Sequence, residues 1–210
     1  MNQRGNLDSY SADPELRLLV ALAYVDWSLI PLQRRSKRPL HRFPLAEHLR
    51  RPASPTQVKE WIEKAGTCNW GVALGVVSRG IGALDVDSPE GERWVEGQGG
   101  TGVTAGYSTG RGEQFLYAVS PQISSLGRLI LHPDVELRMD RHFSVIPPSI
   151  HESGVRYRWL RPPVPPGHCD TEAGGAVGVG IWPLPPMPAW LMKLVSERAK
   201  RRGGHGVEGQ

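Results

Sequence analysis

The chain has 210 residues, 39% hydrophobic and 22% charged, which suits a packed globular domain and excludes a disordered one. A net charge of +4 permits a polyanionic partner without requiring one. The only two cysteines, Cys68 and Cys169, form no CxxC pair, so neither a zinc module nor a disulfide framework is supported and a reduced, cytoplasmic setting is expected.

The apolar stretch "LLVALAYV" near the N-terminus falls far short of the roughly 20 residues a membrane span needs. "MNQRGNLDSY" lacks the shape of a signal peptide, so a soluble protein with no membrane partner is expected. Residues 1–12 read as a disordered tail. Asp13 then caps a helix that has Pro14 at its first position and Leu16, Leu19, Val20, Ala23 and Trp27 at helical spacing.

"IPLQRRSKRPL" turns from apolar to basic and proline-bounded, which reads as a short strand entering an exposed loop. Arg34, Arg35, Lys37 and Arg38 make that loop either a solvated charge run or a binding site for nucleic-acid phosphates. In "SPTQVKEWIEKAG" a Ser54–Gln57 capping box, Pro55 and the apolar face of Val58, Trp61, Ile62 and Ala65 predict a second helix stopped by Gly66.

From Asn69 the period shortens. "NWGVALGVV", "IGALDVD", "QFLYAV", "DVELRM", "HFSVIPP" and "VRYRWL" are β-branched or aromatic runs between Gly, Pro and Ser turns. Helices followed by a mostly antiparallel sheet predict an α+β fold. Residues 161–188, rich in Pro and Gly, read as a connector packing on the domain, 189–202 as a last helix and 203–210 as a tail.

The chemistry concentrates in three places. Strand alternation puts Asp85 and Asp87 on one face, where like charges repel unless a cation or donors lie between them. Oxygen-only ligands suit Mg²⁺ or Mn²⁺, whose remaining positions take water and phosphate oxygens. "DSPEG" is also a good turn, so the alternative is a pair of capping acids.

The second place, "PDVELRMD", alternates Asp134, Glu136, Arg138 and Asp140 with apolar residues. Either this is a charged solvent face or Glu136 completes a three-carboxylate cradle. The third is "STGRGEQFLY", where Gly110 and Gly112 flank Arg111 as a plain hairpin turn or as a phosphate loop.

Taken in order, "PLQRRSKRP", "TQVKEWIEKAGTCNWGVALGVVSRGIGALDVDSPEG", "STGRGEQFLY" and "VELRMDRHFSVIPPSIHESGVRYRWL" resemble the bifunctional DNA primase/polymerase N-terminal domain, a prim-pol branch of the archaeo-eukaryotic primase superfamily, over roughly residues 15–160. The resemblance implies a primase-polymerase fold with an RRM-like βαββαβ sheet and flanking helices, the catalytic domain covering 13–160. It implies a two-metal Mg²⁺ or Mn²⁺ site at Asp85, Asp87 and Glu136, where Glu136 stands for the family's Asp. The implied activity is nucleotidyl transfer from nucleoside triphosphates on a single-stranded DNA template in replication.

Arg111, Gly112, Phe115, Arg138, Ser149 and His151 are the nucleotide-binding candidates that the resemblance supplies. Phe115 falls where the family carries a phosphate-contacting His, and losing one positioned donor costs on the order of 10² to 10³ in rate. His151 is the candidate substitute. The alternative expectation is a catalytically weakened primase fold that binds single-stranded nucleic acid or recruits replication partners; a metal-dependent nuclease ranks below both. No GxxxxGK[ST] loop is present, so any unwinding is expected from a separate helicase.

Overall fold

The computed structural model describes residues 13–65, 67–166 and 180–203. Helix α1 (Pro14–Tyr24) starts as its sequence dictates, with the Asp13 carboxylate accepting from the Glu15 amide at 2.8 Å. Strand β1 (Leu29–Leu32) and the short helix α2 (Leu45–His48) lead to α3 (Pro55–Ala65). There the capping box is reciprocal: the Ser54 amide donates to Gln57 Oε1 at 2.9 Å and the Gln57 amide to Ser54 Oγ at 3.2 Å.

Strands β2 (Asn69–Ala73) and β3 (Ile81–Val86) follow, then α4 (Pro89–Gln98), β4 (Ala105–Ser108) and β5 (Glu113–Ala118). After them come α5 (Pro121–Ser124), β6 (Arg128–His132), β7 (Val135–Arg138), β8 (Phe143–Ile146), β9 (Arg158–Arg161) and α6 (Ala189–Gly203). Helices α2, α4 and α5 and strands β4 and β6 have no counterpart among the elements predicted from the residues. Ser88 and Pro89 are a proper helix start, with Ser88 Oγ accepting from the Gly91 amide at 3.1 Å and donating to Asp134 Oδ2 at 2.8 Å. Two internal glycines, Gly91 and Gly97, hide that helix from propensity. Gly91 earns its place by packing, because a Cβ there would press within 3.1 Å of the Asp134 carbonyl and the Val135 side chain.

The strands form two antiparallel sheets, β1-β2-β8 and β6-β7-β3-β5-β4-β9. In the larger sheet β3, α4, β4, β5, α5 and β7 run as a βαββαβ unit whose strands stand in space as β7-β3-β5-β4, the fourth, first, third and second of the unit. One face, with Leu84, Val86, Tyr117 and Leu137, packs on Val95 of α4 and Leu191 and Val195 of α6. The other carries Ala83, Leu116, Ala105 and Tyr107 into a core shared with the smaller sheet, α1 and α3. Burial on both faces makes β3 apolar almost throughout, and Asp85 is its one charged side chain.

Residues 180–188 lie on the domain, where the Ala118 amide donates to the Pro185 carbonyl at 2.8 Å. Cys68 is a free thiol whose pKa burial pushes up to about 11, which keeps it protonated and unreactive, and Cys169 lies outside the described residues. No described helix is long and apolar enough to cross a membrane.

His48 is 6% exposed, stacked on Phe43 with Trp61 edge-on, and its Nδ1 has no hydrogen-bond partner. Burial lowers its pKa, outweighing the opposing pull of Glu47. A lowered folded-state pKa means the unfolded chain binds the proton more tightly, so this contribution to stability is present above the ordinary imidazole value of about 6.5 and fades as pH falls below it. Urea denaturation between about pH 7.5 and 5 should show stability falling with acidification, and a shallower fall in His48→Leu.

Candidate active site

The site grows from Asp85. Its position on β3 lies directly opposite Gln114 on β5 and Glu136 on β7, so all three side chains share one sheet face. The Asp85 carboxylate, almost fully buried, accepts from Gln114 Nε2 at 2.7 Å and is ion-paired with the Arg138 guanidinium. Tyr107, whose phenol burial holds well above its ordinary pKa, stays protonated and donates to Gln114 Oε1. That fixes the amide with its NH₂ toward the acid.

Two residues on, Asp87 lies just past the end of β3 and is exposed. Asp85, Asp87, Gln114 and Arg138 line one cleft with Lys37, Thr109, Gly110, Arg111, His151 and Tyr157, walled by Phe143 and Val145 of β8. The cleft therefore lies where the larger sheet meets the smaller one. Lys37, Arg111 and His151, from three separate loops, converge on the acids. Burial raises the Tyr157 pKa to about 12 against the pull of Arg138, so its phenol is a hydrogen-bond donor rather than an anion at working pH.

The loop before β5 is built by sterics. Thr109 Oγ1 accepts from the amides of Arg111 at 3.2 Å and Gly112 at 3.1 Å. Those amides are thus consumed inside the turn and do not form the phosphate cradle expected of Gly112. A side chain at Gly112 would collide with the Val86 carbonyl, and one at Gly110 with the His151 ring. The glycines bring the turn close enough to set Arg111 and His151 beside the acids. His151 Nδ1 accepts from the Ser153 amide at 3.2 Å, which leaves the proton on Nε2 as a donor.

Three further expectations are corrected. Phe115 pairs with Leu84, on the face opposite Asp85, and packs against the α4 and α6 core, so it does not reach the cleft. The β5 residue that faces the acids is Gln114. The sequence reading passed over it because only the register of β5 against β3 tells the two neighbours apart. Ser149 is fully buried, its Oγ accepting from the Trp70 amide at 2.8 Å and donating to the Trp70 carbonyl at 3.0 Å, so it braces β2 and touches no cleft.

Glu136, although on the predicted face, does not line the cleft of Asp85 and Asp87. Its carboxylate is held by Arg128 Nε at 2.6 Å and by Arg138. Arg138 thus spans Asp85 and Glu136 in the place where a shared cation was expected. Among the described residues no three His, Cys, Asp or Glu side chains gather closely enough to hold a metal ion. Asp134 and Asp140 do not face the site either, being engaged by Ser88 and by Ser124 and the Val76 amide.

Of the basic loop, Lys37 lines the cleft, and Arg38 lines an adjoining one with Asn69, Arg111, His151 and Tyr157. Asn69 joins the two loops by donating to the Ser36 and Ile150 carbonyls at 3.2 and 2.8 Å. Arg35 lies against Gly154, while Arg34 is exposed and lines neither cleft.

The Prim-Pol family model, described as bifunctional DNA primase/polymerase, N-terminal, matches residues 20–190. The chain belongs to this family. A search of curated proteins gave no match. The Prim-Pol match carries DNA primase/polymerase chemistry as the family activity and fits the α+β architecture of two antiparallel sheets with flanking helices.

Ser149→Ala should lower stability to urea by about 1 to 3 kcal/mol by leaving a buried Trp70 amide unpaired, while nucleoside triphosphate affinity measured by calorimetry stays within about twofold.

Proposed function

We propose that this Prim-Pol domain transfers nucleotidyl groups from nucleoside triphosphates to a 3′-hydroxyl on a single-stranded DNA template, with Mg²⁺ or Mn²⁺. The observation that carries the reading is the convergence of Asp85 and Asp87 with Lys37, Arg111 and His151 on one cleft between the sheets. Oxygen donors at positions i and i+2, opening on the same space, fit one hard divalent cation. The donor set at hand is these two carboxylates, since Glu136 does not line this cleft; Asp85 would exchange its ion pair with Arg138 for the cation. The cation, when bound, supplies charge neutralisation at the reacting phosphate and a lowered pKa at the attacking hydroxyl.

The chain's own groups supply the rest. Gln114, fixed by Tyr107, holds Asp85 in one rotamer. Lys37, Arg111 and the Nε2–H of His151, which line the cleft, would bind the triphosphate oxygens, and the Tyr157 hydroxyl would add a neutral donor. Arg38, on the adjoining cleft, extends the positive wall toward the template. A separate helicase would provide the single strand.

A second reading, a primase fold that binds single-stranded nucleic acid with little catalysis, is favoured by Arg138, which spans Asp85 and Glu136. Incubation with labelled nucleotides, a single-stranded template and Mn²⁺ separates the two. Wild type should yield oligonucleotides, and Asp87→Asn, an exposed and fold-neutral change, should yield none. Product of equal amount from Asp87→Asn, or none from wild type, overturns the enzymatic reading.

The register makes a sharper demand. Gln114→Leu should lower the rate by about 10² to 10³, the scale of one positioned donor. Phe115→His should bring no gain, because it inserts an imidazole among apolar side chains and costs about 1 to 3 kcal/mol in stability.

A further inference from the structure

A second cleft opens on the other side of Arg138. Arg128, Glu136, Arg138, Arg141 and His142 form its charged side, and Leu45, Leu49 and Phe143 its apolar side. Arg138 and Phe143 also line the cleft of Asp85 and Asp87, so these two side chains are the wall common to both.

The charge here is one-sided. Glu136 is the only acid on this lining, facing three guanidinium groups, one of which it shares with Asp85. Arg141 is exposed and holds a left-handed backbone with φ 67°, and its guanidinium donates to the Ser125 carbonyl over a long 3.5 Å. The imidazole of His142 senses the same field: its pKa is lowered by burial first, then by Arg138, Arg128 and Arg141 against Glu136. Positive groups opposite an aromatic and two leucines match the two halves of a nucleotide in a strand, a phosphodiester and a stacked base or sugar. A free phosphate or pyrophosphate would have no use for the apolar side.

We propose that this second cleft binds the phosphodiester backbone of a single nucleic-acid strand, with Arg128 and Arg141 on phosphates and Phe143 against a base, and passes that strand over Arg138 into the Asp85–Asp87 cleft. The inference rests on the nucleotidyl-transfer reading for the strand's destination, but strand binding is measured without nucleotide or metal.

Fluorescence anisotropy of a labelled single-stranded DNA oligonucleotide, titrated at several salt concentrations, tests it. Arg128→Ala with Arg141→Ala should weaken binding by about tenfold or more and flatten the log–log salt slope by about 1.4, two phosphates at about 0.7 each. Lys193→Ala with Arg198→Ala, the same charge loss on exposed positions of α6, should leave both nearly unchanged. Arg141→Ala alone breaks no ion pair and should show about half of the slope change, which keeps the test valid if the double variant folds poorly. Nucleoside triphosphate affinity with Mn²⁺ should remain that of wild type in Arg141→Ala and in the α6 variant, neither of which touches the ion pairs around Asp85.

Equal losses in the cleft and α6 variants, a weaker affinity with an unchanged slope, a wild type that binds no strand, or triphosphate affinity falling in parallel in Arg141→Ala would each overturn the proposal. Failure of nucleotide incorporation with strand binding intact would instead count against the enzymatic reading alone.

Discussion

Asp85 sits in the middle strand of a sheet that is covered on both faces, where an ionised carboxylate without partners would cost several kcal/mol. Its surroundings answer that constraint with one amide donor from the strand on one side and one guanidinium from the strand on the other. Each partner needs its own support. Tyr107 orients Gln114, Glu136 holds Arg138, and Arg128 in turn holds Glu136. A single buried charge therefore propagates into a network across β4, β5, β3, β7 and β6. Such a network is worth more intact than in parts, because any one deletion strands a buried group.

The network also divides the surface. On one side of Arg138 lie the aspartates with Lys37, Arg111 and His151, and on the other the arginine cleft bounded by α2 and β8. Phe143 closes the wall from the smaller sheet. Close backbone approach makes this arrangement possible: Gly112 lets the β4–β5 turn lie on the end of β3, and Gly110 receives the His151 ring. Ser149 and Asn69 carry no chemistry themselves, yet they fix the His151 loop against β2 and the basic loop. Ser149, a predicted nucleotide ligand, thus belongs to the frame instead.

In this chain an amide, Gln114, faces Asp85, and Glu136 is occupied with arginines. An amide offers a donor without a titrating charge, so what Gln114 does for Asp85 has no pH dependence of its own. Glutamate at 136 has the reach to accept from both Arg128 and Arg138, and its role here is to set a guanidinium rather than to gather with the aspartates. The protein's positive wall is correspondingly strong, and it surrounds rather than opposes the acidic pair.

Local rules determined the first helix at Asp13 and Pro14, the reciprocal capping box of α3 and the β-rich stretch from Asn69, since each depends on neighbours within a few residues. The family was legible for the same reason, being carried by the order of short motifs. Helix α4 was hidden by two glycines, of which contact with the start of β7 explains Gly91. What the tertiary structure alone decided was register: whether Gln114 or Phe115 faces the acids, and whether Glu136 meets a cation or Arg138. A shift of one residue in a strand reverses its faces, and the hydrogen bonds that settle the shift join residues about thirty to fifty positions apart, beyond the reach of any local pattern.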